Sequence, residues 1–106
     1  MSKQSIDEPA PRRPLGLDEW QQRTGTSNRA LARLTREIDP QREEWEALGC
    51  PKPVPRIGVA ESTIRSFKAG EPITLRVAWL LVEASRRRPA IINGRKRSIW
   101  WEALRT

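Results

Sequence analysis

The chain has no histidine and no tyrosine, a single phenylalanine and a single cysteine, Cys50. Without histidine it lacks both the commonest general base and the commonest metal ligand. A lone cysteine closes no internal disulfide, which agrees with a reducing compartment, and it cannot by itself build a zinc site. No apolar run approaches the ~18–20 residues of a membrane span. The opening stretch MSKQSIDEPAPRRP has no apolar core of the kind a secretory signal needs. No Gly-rich phosphate loop or nucleophile motif is present. These absences argue against an enzyme, a cofactor, a bound metal or a membrane partner, and the expected location is the cytoplasm.

What is present is positive charge, unevenly spread. The 106 residues carry 20 Lys+Arg against 13 Asp+Glu, a formal net charge of +7. Residues 1–49 hold 8 basic and 9 acidic side chains, while residues 50–106 hold 12 and 4. The basic character therefore belongs to the second half, as expected of a surface that faces a polyanion. The length suits one domain.

Three prolines and mixed charge over residues 1–14 predict a flexible arm, with the single domain at 15–106. A short helix is expected from Leu17 to Thr24, where Leu17 and Trp20 share a side and Gly25 is a natural stop. Ser27 is suited to cap a second helix, Asn28 to Ile38, on which Leu31, Leu34 and Ile38 form a stripe. Asp39-Pro40 reads as the cap and first position of an acidic helix closed by Gly49. The three prolines of residues 50–55 then predict an extended linker. A helix from about Glu61 to Ala69 ends at Gly70. A longer one, Thr74 to Arg87, carries a stripe of Leu75, Ala78, Trp79 and Val82, widened by Val77, Leu80 and Leu81, and a surface pair between Glu83 and Arg87. Ala90 to Gly94 reads either as a strand entering an Asn-Gly hairpin turn or as an irregular loop. Ser98 is expected to cap a last helix, 98–105, containing Trp100, Trp101 and Leu104. The fold class is thus all-α, five to six helices with an inserted acidic helix and a short C-terminal hairpin or loop.

The informative stretch is GVAESTIRSFKAG, residues 58–70. On a helix starting near Glu61, Ile64 and Phe67 point one way, while Glu61, Ser62, Arg65 and Ser66 point the other. The apolar pair can bury, and the polar quartet has the donors and acceptors needed against base edges in a major groove. Glu61 and Arg65, four apart, can equally pair with each other. Ile64, Phe67 and Trp79 are read as core, and Trp20 and Trp45 as core or half-buried.

In these residues the chain resembles the lambda-repressor/Cro-like (XRE-type) helix-turn-helix family. Thr26-Ser27-Asn28-Arg29-Ala30-Leu31-Ala32 looks like the start of the family's second helix. Gly58-Val59-Ala60-Glu61-Ser62-Thr63-Ile64 looks like its turn and the start of its recognition helix, and Gly70 with Pro72 like the exit. The resemblance covers about residues 15–85. It implies an all-α domain, usually a homodimer, on a palindromic operator in double-stranded DNA. It carries base-reading roles to Glu61, Ser62 and Ser66, with Arg65 between them, and a phosphate contact to Asn28. It also implies a transcriptional repressor of phage, plasmid or mobile-element type, located with the nucleoid. About twenty residues, 37–57, separate the two matched parts where the family has a few. Either an acidic insertion (39–57) lies within the motif, or Glu43–Gly49 takes the role of the second helix.

Beside this lie Arg86, Arg87, Arg88, Arg95, Lys96 and Arg97, six basic groups with no acid among residues 86–97. With Lys68 they are read as a backbone clamp; six phosphate contacts would give log K a slope of about −5 against log salt. The adjacent Trp100 and Trp101, with Leu104, are the expected dimer contact. The acidic insertion is expected to avoid DNA and to offer a docking site for a protein partner. The reading from a different class is a protein-binding regulator, an anti-activator or inhibitor of a host defence complex.

Overall fold

The computed structural model describes residues 15–104, so the expected arm at 1–14 and Arg105 lie outside the described residues. Five α-helices and one two-stranded hairpin are found there: α1 (Leu17–Thr24), α2 (Asn28–Ile38), α3 (Pro40–Ala47), α4 (Glu61–Lys68), α5 (Leu75–Arg87), β1 (Ala90–Ile92) and β2 (Arg95–Arg97), followed by a 3-10 turn (Trp101–Leu104). The fold is mostly helical.

The caps explain the boundaries. The Ser27 hydroxyl accepts from the Ala30 amide and starts α2. Asp39 accepts from the Gln41 amide, with Pro40 at the first turn of α3. Thr74 accepts from the Val77 amide at the head of α5. Each satisfies a donor that the first turn leaves without an intrahelical partner. Gly25 ends α1 in the left-handed region at φ 69°.

The core gathers on α2 and α5. Leu31 on α2, Ile64 on α4, Leu80, Leu81 and Ala84 on α5 and Trp20 on α1 are buried in one cluster. Helix α2 packs against both α5 and α4. Trp20 is fully enclosed, and its ring N–H donates to the Arg88 carbonyl at 2.8 Å, tying α1 to the end of α5.

The long excursion between α2 and α4 starts and ends at one place. Asp39, buried, accepts from the Gly58 amide at 2.7 Å and forms an ion pair with Arg76 of α5. One turn back, the Thr35 hydroxyl accepts from the Val59 amide at 2.9 Å. Arg76 also donates to the Arg56 carbonyl at 2.9 Å. Residues 58 and 59 are thus stitched to α2 by two side chains four positions apart, which brings α4 onto α2. Gly58 is required there: at φ 75°, a Cβ would meet the Arg36 Cα and N at 2.8 Å. Helix α3 itself buries no residue. The acidic segment is therefore an excursion between α2 and α4, and α2 is the helix that packs on α4.

Three expectations are corrected. Leu75 and Trp79 are 73% and 47% exposed, so neither belongs to the core. The buried face of α5 is Ala78, Leu80, Leu81, Ala84 and Ser85, roughly a third of a turn away. That face combines two leucines with the smaller Ala78, Ala84 and Ser85, which counting apolar bulk overlooks. The surface pair on α5 is Arg86 with Glu83 at 3.0 Å, not Glu83 with Arg87. Finally, the helix expected from Ser98 is reduced to one 3-10 turn, because the backbone before it is held extended elsewhere: the Ile99 amide donates to the Ser85 hydroxyl at 2.8 Å and the Trp100 amide to the Leu15 carbonyl at 3.0 Å.

The open alternative at 90–94 resolves as a hairpin. Ala90 pairs with Arg97, Ile91 with Lys96 and Ile92 with Arg95. Asn93 (φ 53°) and Gly94 (φ 77°) both adopt positive φ, the requirement of a two-residue type I′ turn. β1 packs on α1.

Candidate nucleic-acid interface

Helix α4 is held from behind and polar in front. Ile64 is fully buried and Phe67 half-buried against the core, so the opposite side of the helix must face out. Ser62, Arg65 and Ser66 are exposed and Glu61 half-exposed. Glu61 and Arg65 meet at 2.8 Å, one turn apart on the surface. The outward face therefore offers two hydroxyls and one ion pair whose partners can exchange for others at low cost, since a solvent-exposed pair of this kind contributes little to stability.

Asn28 and Lys68, forty residues apart, are brought together. The Asn28 carbonyl oxygen accepts from the Gln21 amide at 2.8 Å, and Lys68 Nζ lies 3.4 Å from that same oxygen. Lys68 also donates to the Gln21 carbonyl oxygen at 2.7 Å and pairs with Asp18 at 3.2 Å. Its charge is thus largely engaged within the protein. From the other side, Arg88 reaches Thr26 at 3.5 Å. The turn between α1 and α2 is in this way bracketed by Lys68 and Arg88, with Asn28 at the first position of α2.

The rest of the basic segment divides. Arg86 is held by Glu83, whereas Arg87, Arg95 and Lys96 are exposed without an ion pair among the described residues. Arg97 is half-buried. Since β1 rests on α1 and α4 rests on α2, Arg95 and Lys96 are carried by an element other than the one that supports α4.

Sequence reasoning passed over a row of cations on α2. Arg29, Arg33 and Arg36 recur at i, i+4 and i+7 along α2, all exposed and none in an ion pair among the described residues. The spacing was legible, but net charge averaged over residues 1–49 concealed it behind the glutamates that follow. They form one wall of an open groove of about 530 Å³ whose other side includes Trp45 of α3 and which Glu61 of α4 borders. The insertion therefore adjoins the first turn of α4.

The expected dimer contact is corrected in one member. Trp100 and Trp101 are 55% and 38% exposed, but Leu104 is buried within its own chain and cannot serve a partner. Cys50 is an exposed free thiol. Among the described residues no three His, Cys, Asp or Glu side chains cluster as metal ligands, and no helix is long and apolar enough to cross a membrane. Comparison with protein-family models, curated proteins and solved structures returned no match.

Proposed function

We propose that this chain is a sequence-specific DNA-binding regulator of transcription that inserts α4 into the major groove. The observation that carries the reading is the two-sided character of α4: Ile64 anchors it, and Ser62, Arg65 and Ser66 are presented outward together. Arg65 is suited to a bidentate contact with guanine, and the serines to either pair. Glu61 accepts from a cytosine amino group or stays paired with Arg65. Asn28 at the head of α2, with Arg88 beside it and Lys68 exchanging its internal partners, would fix the helix against phosphates, aided by the amides of that N-terminus.

In this reading the protein works as a homodimer on an inverted repeat, with Trp100 and Trp101 between protomers, and represses by covering promoter DNA. Its size and basic charge suit a phage, plasmid or mobile-element regulator. Neither catalysis nor a cofactor enters the scheme. Selection of bound sites from random duplex DNA tests it: an enriched inverted repeat supports the assignment, and binding without enrichment defeats it.

A second reading has its own observation. Leu75 and Trp79 lie one turn apart on α5, both exposed, and Trp79 lines a groove with Pro40 and Glu44 of α3. A protein-binding regulator would use this surface, and failure of the site selection together with binding to an acid-avoiding, apolar partner segment would favour it.

A further inference from the structure

We propose that Arg29, Arg33 and Arg36 form a track for the sugar-phosphate backbone of the duplex, so that α2, rather than the 86–97 segment, supplies most of the electrostatic grip. This rests on the DNA-binding reading and specifies how the same surface holds its ligand.

Four exposed arginines on the helices of this protein have found a carboxylate on their own helix. Arg23 pairs with Glu19, Arg42 with Glu46, Arg65 with Glu61 and Arg86 with Glu83. The α2 row departs from this habit. Glu37 stands four positions after Arg33, the spacing that works elsewhere in the chain, yet the two form no ion pair. Three guanidinium groups thus stay unneutralised on one helix. At ~1.5 Å of rise per residue the row extends about 10 Å along the helix. Duplex DNA carries one charge per about 1.7 Å of its axis, so flexible arms over that length reach several consecutive phosphates.

The setting of the row favours a backbone over a compact anion. The groove is open to solvent and is lined by all three arginines of the row. Two of its carboxylates are already engaged, Glu46 by Arg42 and Glu61 by Arg65. Glu37 is the remaining one, against three free cations. Across the groove, the indole N–H of Trp45 donates to the Pro51 carbonyl at 2.8 Å, which orients the ring as an apolar wall against which a deoxyribose can pack. Because Glu61 borders the same groove, a strand lying in it runs directly on to the face of α4 that reads bases. The insertion, acidic in composition, then becomes the outer wall of the track and does not stand away from DNA.

The test is the salt dependence of binding to a labelled duplex, read by fluorescence anisotropy. Two variants are compared with the wild-type chain: Arg29→Gln/Arg33→Gln/Arg36→Gln, and Arg29→Gln/Arg33→Gln, which spares the arginine packed against Gly58. A third, Arg95→Gln/Lys96→Gln, probes the hairpin. Removing one cation from a phosphate should flatten the slope of log K against log salt by about 0.9. The expected result is a reduction of about 1.8 for the double variant and about 2.7 for the triple. The preference for a selected site over random duplex should be unchanged, the unfolding midpoint of the double variant unaltered, and the hairpin variant shifted less than the double. A wild-type slope in the α2 double variant, or a larger reduction in the hairpin variant, overturns the track while leaving DNA binding intact. A wild-type chain that holds no duplex at low salt overturns both.

Discussion

Asp39 sits with its carboxylate almost wholly out of water, and three separate parts of the chain converge on it: the first turn of α3, the Gly58 amide and the Arg76 guanidinium. Truncating one member of such a group leaves the others desolvated without a partner, a loss of about 3 kcal/mol. Asp39→Ala should therefore lower the urea midpoint substantially. Thr35→Val is a gentler probe of the same seam. It keeps the shape but abandons the buried Val59 amide, and a loss of about 1–2 kcal/mol is expected in the same measurement. Gly58→Ala combines a left-handed backbone with a collision against main-chain atoms of α2, and should cost at least about 2 kcal/mol or prevent folding. Neither Thr35 nor Asp39 could be recognised as buried from the sequence alone. A threonine within a helix and an aspartate at a cap read as surface residues, and only the return of the chain at residues 58 and 59 reveals what they hold.

Among the elements, legibility followed the strength of local signals. Helices with a side-chain cap and a clear stop, such as the one opened by Ser27, begin and end where their sequence says. The hairpin turn was readable because Asn-Gly fits two successive positive φ values and few other pairs do. The face of α5 was misread in part: Ala78, Leu80 and Leu81 pack as their apolar character suggests, but Leu75 and Trp79, large and apolar, stay exposed while Ala84 and Ser85 are buried. The last helix was misread because Ser98 competes with two long-range backbone bonds that local propensity cannot foresee. The outward quartet of α4 was visible from periodicity; the arginine row on α2 was overlooked for the opposite reason, a local pattern diluted by averaging.

Two outcomes are expected at this scale. Replacing residues 42–55 by a short glycine linker should leave cooperative unfolding and the helical circular dichroism of the remaining helices in place, because Asp39 and Gly58 already touch. Arg65→Ala combined with Ser66→Ala should abolish the preference for a selected site while retaining salt-sensitive association with random duplex. Retained site preference in that double variant would remove α4 from the role assigned to it.

For the molecule as a whole, the tryptophans report on assembly. Trp20 is enclosed in the core, whereas Trp79, Trp100 and Trp101 are open to solvent. If Trp100 and Trp101 meet in a dimer, iodide should quench their fluorescence less as protein concentration rises, and Trp100→Ala with Trp101→Ala should abolish the concentration dependence and shift sedimentation to the monomer. Unchanged quenching and a monomer at micromolar concentration would dismiss the homodimer. The excursion between α2 and α4 carries one more consequence. Its only thiol, Cys50, is exposed just where the chain turns back after α3, and no other cysteine competes for a reagent. A maleimide dye therefore goes to a single address in the unaltered protein. From that address, energy transfer to the end of a bound oligonucleotide would measure how near the outer wall of the groove comes to the nucleic acid.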